Sequence, residues 1–393
     1  MKKKKKSSSE GRGPPPRPVP RDITVEILLR LPVKSLCRFR CVSTLWRSII
    51  SDPHFVSSHF ARSSAHPKLQ INVDRNGPAV NAEYVRKRRD RFFFFSTDYT
   101  KNMDDPGQVQ VASYHGQIDT HADYIPQSVG GLICISDIEG IQVCNPSTGE
   151  CITFPAPSIY GKPFLGYDPV EKKHKIINSW KSRFLGPTKI DILTLGEKEW
   201  RRLDLGLPGL SIELSLCIDG VMHMLGETDE EKAYFILFDV RLETFRAIPF
   251  PADFVYDPCM CLIEFGGRAA LLDYWASIID RVGGPVRLWI LEDLEVWSCK
   301  EFIPPPHLDD TISVVSYCDA GVTHAGELVF SSLSSTGPFL CYLLDLENAS
   351  LRKIEISGLH ERLNALTRRY DDMVTVFSHV ESLQSLQEFR IDR

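Results

Sequence analysis

No apolar run in this 393-residue chain is long enough to cross a bilayer as a helix. The longest, such as Phe92 to Phe95, are a few residues against the roughly 18 required, so a membrane protein is not expected. The basic start, Lys2 to Lys6, is followed by the polar, glycine- and proline-rich stretch Ser7 to Pro20 rather than an apolar segment, so no secretory signal is expected. Positive charge is not in excess: the formal net charge is −5, which argues against a global basic field for nucleic acid or a membrane surface. The 11 cysteines show no framework spacing and read as reduced core residues, which makes the sequon Asn348-Ala349-Ser350 an idle one. Catalytic signatures are missing too: there is no Walker loop, dinucleotide fingerprint, His-Glu-x-x-His, Gly-x-Ser-x-Gly or Cys-x-x-Cys. His115 and His121 have no partnered carboxylate pattern and read as surface histidines, while Cys259 and Cys261 alternate onto one strand face and read as core.

What is present is ordinary for a globular chain, 43% hydrophobic and 25% charged, with length for two or three folding units. Residues 1–18 are lysine, serine, glycine and proline and read as a disordered tail. Its lysine run is either a nuclear import signal or a solubilising tail, and Arg86 to Arg89 reads as a charged lead-in to a strand over Arg91–Ser96. The compartment expected is cytoplasmic, nuclear or both.

Residues 19–61 have helical period. Ile23, Ile27 and Leu31 fall on one face with Leu28 beside them, Pro32 forces a turn into a second helix, and Ser43 is placed to cap a third over Thr44 to Ile50. Asp52-Pro53 ends that helix, and Phe55 to Ala61 adds a last turn. From 66 to 393 the pattern changes to short Val, Ile, Phe and Leu runs broken by Gly, Pro, Asp and Asn, which read as strands and turns. A motif recurs along them, "CITFP", "EWRRLDL", "TFRAIPF", "VWSCKEF" and "SLRKIEI". Its anchors Phe154, Trp200, Phe245, Trp297 and Leu351 are separated by 46, 45, 52 and 54 residues. Several strands per unit at that period describe a β-propeller, whose blades bury both faces only against neighbours; an irregular β-sandwich is the competing architecture.

One spacing suggests a metal. Cys37-x3-Cys41, then His54-x4-His59, satisfies a two-Cys, two-His zinc finger. The context is wrong for one, because both cysteines lie in helical pattern and Pro53 would open the helix carrying the histidines. No metal or other cofactor is therefore expected. A zinc-dependent nucleic-acid binder on Cys37, Cys41, His54 and His59 stays open as an alternative, as does a propeller enzyme with carboxylates at its central channel.

About 40 helical residues without disulfide or metal are too few for an independent core, so this segment must pack on the β region or on another protein. Here "VPRDITVEILLRLPVKSLCRFRCVSTLWRSIISDPHFV" resembles the F-box, with Val19 standing where Leu is usual and Thr44 where Lys is usual. "FLGYDPVEKKHKII", "LGEKEWRRLD", "CIDGVMHML", "FILFDVRLETFRAIPFP", "VRLWILEDLEVWS", "VTHAGELVFSS" and "HVESLQSL" are similar to successive motifs of the F-box-associated domain of plant F-box proteins. The resemblance implies a mainly β protein with a three-helix F-box and a kelch-like propeller of six or seven blades. It further implies a non-catalytic substrate receptor of a Skp-cullin-F-box ubiquitin ligase, docked on a Skp-type adaptor, through it on a cullin scaffold, and holding an unknown protein target. Carried over residue by residue, adaptor contact falls on Pro20, Ile23, Ile27, Leu28, Leu31, Pro32, Val42 and Trp46, with Trp46 ranked first as an aromatic anchor. Leu36, Leu45 and Ile49 are left to fill the space between helices. No residue is assigned to the target.

Overall fold

The computed structural model describes residues 19–74, 90–99, 109–120, 128–137, 140–158, 161–180, 187–251, 253–257, 260–273, 285–303, 321–323, 325–332, 339–359 and 373–389. The lysine run, Arg86 to Arg89, His121 and Cys259 lie outside them.

Helices come first, α1 (Arg21–Leu29), α2 (Val33–Phe39), α3 (Thr44–Ile50) and α4 (Pro53–Ala65). The three expected helices are there, and Ser43 caps α3 by accepting from the Trp46 backbone N–H at 3.1 Å. The single last turn expected after them is instead a fourth helix of 13 residues. The Asp52 carboxylate caps it, accepting from the N–H groups of His54 and Phe55, and Pro53 sits in its first turn, where a missing N–H breaks no bond. Pro53 does not open this helix, as the sequence leads one to expect, but starts it.

The strands that follow are β1 (Lys68–Asp74), β2 (Asp90–Thr97), β3 (Val109–Val111), β4 (Ser113–Thr120), β5 (Ile133–Asp137), β6 (Gly140–Asn145), β7 (Glu150–Phe154) and β8 (Lys162–Asp168). Next come β9 (Lys173–Trp180), β10 (Pro187–Thr194), β11 (Arg201–Pro208), β12 (Ser211–Ile218), β13 (Val221–Glu227), β14 (Ala233–Asp239), β15 (Thr244–Ile248) and β16 (Cys261–Phe265). The last are β17 (Arg268–Asp273), β18 (Val286–Asp293), β19 (Val296–Phe302), β20 (Gly321–Val322), β21 (Leu328–Ser332), β22 (Phe339–Asp345), β23 (Ser350–Ser357) and β24 (Met373–His379).

These strands form six antiparallel sheets, β24-β1-β2-β4, β5-β6-β7, β8 to β11, β12 to β15, β16 to β19 and β20 to β23, so the propeller has six blades. The repeated sequence motif is the last strand of a blade in chain order: Phe154 lies in β7, Phe245 in β15, Trp297 in β19 and Leu351 in β23, and Trp200 immediately precedes β11. Two of these anchors tie neighbouring blades together. The indole N–H of Trp200 donates to the Pro155 carbonyl at 3.1 Å, and that of Trp297 to the Pro249 carbonyl at 2.9 Å. Between blades, apolar faces meet in shared cores, such as Ile177, Ile190 and Ile192 against Met222, Met224 and Phe238.

The ring is closed twice. Strand β24 pairs antiparallel with β1, from Lys68 opposite His379 to Asp74 opposite Met373, so the first blade takes its inner strand from the far end of the chain. In addition β3, which lies between β2 and β4 in sequence, leaves the first blade and pairs parallel with β23 of the last. Cys144 and Cys151 face each other across β6 and β7 and are joined as a disulfide, which corrects the expectation that every cysteine is reduced.

After β24 the chain runs along one face of the ring as a strap, Val380 to Phe389. Asn145, fully buried in the β6–β7 turn, donates to the carbonyls of Ser382 at 3.0 Å and Gln384 at 2.9 Å, and Glu150 accepts from the Leu386 N–H at 2.7 Å. The strap lies so close to the second blade that a Cβ on Gly131, whose φ is +82°, would stand 2.5 Å from that of Ser382; only glycine fits. Leu386 fills the core between the second and third blades. Leu383 turns the other way and joins Leu28, Val33, Leu36, Ile49, Ile50 and Phe55 in the core of the helical domain. The helices are thus held to the propeller by a side chain of the propeller's own last segment, and by Lys34, whose ammonium donates to the Tyr114 carbonyl at 2.6 Å.

Leu383 is 1% exposed, so Leu383→Ala is expected to cost about 2–4 kcal/mol. The loss should fall on the helices: hydrogen exchange of α2 and α3 amides should accelerate while that of the inner blade strands does not. Unchanged protection would show that the helices fold without the strap. A pH dependence also follows. Burial pushes the imidazoles of His115 and His174 down to about 4 and that of His379 to about 3, with Lys34 and Lys68 adding to the effect at His115, and His115 and Lys68 at His379. Between the free-imidazole value near 6.5 and about 4 the unfolded chain binds protons that the folded chain does not. Stability is therefore full above that window and falls as pH drops through it, by up to about 1.4 kcal/mol per pH unit per histidine. Urea midpoints that stay flat between pH 7.5 and 5 would contradict this.

Candidate partner-binding face

The helical domain divides its apolar residues between an inside and an outside. Leu28, Val33, Leu36, Ile49, Ile50 and Phe55 are buried, and with Leu383 they fill its core. Ile23, Ile27, Val42 and Leu45 are 52%, 53%, 62% and 53% exposed, and Val19 is 59% exposed. Pro20 and Pro32 are exposed as well. On α1 the split follows helix geometry: Ile23 and Ile27 are four residues apart and share the outer face, while Leu28, one step further round, points into the core.

Of the residues expected at the adaptor, Pro20, Ile23, Ile27, Pro32 and Val42 therefore lie open, and Leu31 and Trp46 are half-buried. Leu28 is the correction: at 1% exposure it has no surface to offer a partner. Trp46 packs edge-to-face on Phe39, ring centroids 4.9 Å apart, and belongs in part to the domain's own core. Leu36 and Ile49 fill the interior as expected, but Leu45 does not; Trp46 is the first-turn residue of α3 that turns inward. Val19 and Leu45 are surface residues that the sequence reading does not assign: Leu45 and Ile49 are one turn apart on the same side of α3, yet Leu45 in the first turn is exposed and Ile49 in the last is buried. Arg21, Arg30, Arg38 and Arg47 of the same domain are exposed as well.

The four residues with finger-like spacing are used differently. Cys37 is half-buried on α2, its thiol pushed up chiefly by burial, and Cys41 and His54 are exposed. His59 is 3% exposed; its Nε2–H donates to the Leu31 carbonyl at 3.0 Å and its Nδ1 accepts from the Ser63 hydroxyl at 3.4 Å, so both ring nitrogens are engaged within the helices. Among the described residues no three His, Cys, Asp or Glu side chains are grouped as a metal site. His115, expected at the surface, instead meets the Ser96 hydroxyl at 2.6 Å, because β4 lies against β2.

The central channel is a cavity of about 440 Å³ near the strand ends of the blades, with Ser64 and Pro67 among its lining residues. Glu264 is the carboxylate among its described lining residues, with glycine, serine, threonine and Cys217 making up much of the rest. The paired acids of a glycan-processing channel are not found there among the described residues. Strand direction then fixes the two faces of the ring. Lys68 and His379 stand side by side at the end where α4 enters, and the opposite strand ends carry the turn Thr228–Lys232. No helix among the described residues is long and apolar enough to cross a membrane.

Two family models match. The F-box domain covers residues 19–58 and the F-box associated beta propeller domain covers 83–380. The F-box protein DOR of Arabidopsis thaliana is 29% identical over 87% of this chain and 89% of its own length. A second Arabidopsis thaliana F-box protein is 30% identical over 94% of this chain and 90% of its own. Of solved structures, TolB from Acinetobacter baumannii aligns with 84% of this chain and 73% of its own at a TM-score of 0.43 and 10% identity. The half-exposed apolar face on a small helical domain, fixed to a six-bladed ring, belongs to a substrate-receptor-type plant F-box protein with an F-box-associated propeller.

Proposed function

We propose that this chain is the substrate-recognition subunit of a Skp-cullin-F-box ubiquitin ligase. The observation that carries it is the partition of the helical domain: a filled core, and outside it Ile23, Ile27, Val42 and Leu45, each more than half exposed. Exposed apolar residues concentrated on a small domain mark a protein interface, and the exposed arginines of the same domain suit a partner with an apolar groove and an acidic rim. A Skp-type adaptor seated there, with a cullin behind it, leaves the opposite face of the ring for the target.

The mechanism needs no chemistry from this chain. A target bound to the propeller is held beside a ubiquitin-charged enzyme carried by the scaffold, so transfer to a lysine becomes effectively intramolecular. Blade cores hold the ring rigid while the connections at strand ends set what it recognises. Pro20, Ile23, Ile27, Leu31, Pro32, Val42 and Trp46 are the adaptor contacts in this reading, with Val19 and Leu45 added. Trp46 contributes mainly by holding Phe39 and α3 in place.

The test is co-expression of the full chain with a Skp-type adaptor, followed by size exclusion. Ile27→Asp and Val42→Asp are the informative variants, because their side chains are exposed and the fold does not depend on them, whereas Trp46→Ala alters the helical core. The wild type should elute as a stoichiometric complex. Each variant should weaken it by roughly 30-fold or more, the loss of an interface anchor of about 2 kcal/mol or greater, with unchanged thermal stability. A folded wild type that stays uncomplexed, or variants that bind as the wild type does, would overturn the reading. Ubiquitylation of a bound target by the reconstituted assembly then separates a ligase receptor from an adaptor-binding protein with another role.

A further inference from the structure

From Ser382 to Leu386 the strap is gripped by one hairpin. Asn145 and Glu150 face each other as the last pair of the β6–β7 ladder, and Pro146 to Gly149 turn between them. Asn145 donates to the Ser382 and Gln384 carbonyls, and Glu150 accepts from the Leu386 N–H and from the Ser385 hydroxyl at 3.2 Å. Between them the Ser147 hydroxyl accepts from the Ser382 N–H at 3.3 Å. One pair further along the same ladder stand Cys144 and Cys151, joined as a disulfide, so the covalent link encloses all three of these side chains. No second disulfide occurs among the described residues. The apolar packing beneath it is slight, a cluster in which Cys144 and Cys151 meet Phe94, Ile118, Ile133 and Ile135. The end of a hairpin opens more readily than a blade core, and a cross-link at its base removes the open forms.

We propose that Cys144 and Cys151 are a redox site, in exchange with an external dithiol, whose state sets how firmly the strap and the helical domain are held on the ring. Oxidised, the pair keeps the Asn145–Glu150 rung closed and both grips in place. Reduction begins at Cys151, the member of the pair with exposed surface, since Cys144 is 1% exposed. A thiolate of the dithiol attacks the Cys151 sulfur, forming a mixed disulfide and expelling the Cys144 thiolate, which takes up a proton. The dithiol's second thiolate then displaces Cys151, which is protonated in turn. Two electrons have passed to the protein, and the dithiol leaves as its own disulfide. With the rung free to open, Asn145 and Glu150 lose their fixed spacing and the segment from Ser382 to Leu386 loosens. Leu383 lies in that segment, so the helical core it completes is weakened as well. Nothing in this depends on the chain's joining a ligase.

The test is hydrogen exchange of the full chain, oxidised and after treatment with dithiothreitol, with alkylation and peptide mapping to record the state of Cys144 and Cys151. Reduction should speed exchange of the Ser382 and Leu386 amides, which donate to the hairpin, and of the α2 and α3 amides that depend on Leu383, by roughly tenfold. The β13 and β14 amides, in a blade the strap does not hold, should be unchanged. Cys151→Ser, at a half-buried position, should show the faster exchange with or without dithiothreitol. The proposal is overturned if the reduced wild type exchanges as the oxidised form does, or if β13 and β14 accelerate to the same extent. It is overturned too if dithiothreitol still speeds exchange in Cys151→Ser, or if the two thiols stay unbridged in oxidised dithiothreitol. The comparison of the two wild-type states needs no variant to fold.

Discussion

A propeller blade has two apolar faces and no way to cover both alone, so the architecture depends on the ring being closed. Here closure rests on the pairing of β24 with β1, residues at opposite ends of the chain brought into register over seven pairs. The other interactions lean on that pairing. It places His379 at the start of the strap, where the ring nitrogens meet the hydroxyls of Ser147 and Ser128, and it directs the next ten residues across the face of the second blade. Asn145 and Glu150 then hold the strap along its length. The helical domain comes last in this order although it is first in sequence, because its core includes Leu383.

This order explains why the helical domain is small yet keeps a fixed place. Its core has six buried apolar residues of its own, few for an independent fold, and the seventh comes from the strap. With the inward side completed by the propeller, the remaining apolar residues, Ile23, Ile27, Val42 and Leu45, are more than half exposed among the described residues. The sequence presents an excess of apolar side chains over a segment too short to bury them. The structure divides that excess into a part covered by the strap and a part left for a partner.

How much of this is legible in sequence depends on the range over which each signal acts. The recurring motif is local: each copy is the last strand of one blade in chain order, so Phe154, Phe245, Trp297 and Leu351 mark the period without any knowledge of pairing. The hydrogen bonds from Trp200 to Pro155 and from Trp297 to Pro249 span 45 and 48 residues, and each reaches one blade back, which is why aromatic and proline recur together. Ser43 as a cap is local as well. The first blade escapes the repeat because its inner strand lies near the other terminus, and blade number is therefore read from pairing and not from period. Leu383 is invisible for the same reason, and so is the meeting of Cys144 with Cys151, which needs the β6–β7 register. Pro53 misleads because proline as a helix breaker and proline as a helix starter are one residue in different positions, and Asp52 is what distinguishes them. On the outer face, the heptad-like spacing of Ile23 and Ile27 is readable, whereas the inward turn of Leu28 and Trp46 depends on helix rotations that nine- and seven-residue elements leave undetermined.

The shared core has a consequence for any receptor built this way. Two domains joined by a flexible linker sample many relative orientations, and a bound target then meets the transferring enzyme at a concentration set by linker length. Two domains that share Leu383 cannot reorient without exposing it, together with the apolar residues it touches. The propeller and the helical domain are therefore held at one distance and one angle, and in the proposed ligase that geometry would make the choice of target lysines a property of the fold. Alignment of that kind raises the rate for well-placed lysines and lowers it for all others. On the proposed function, selectivity would then have two sources on one chain: the residues that bind the target, and the strap that fixes where the target is held.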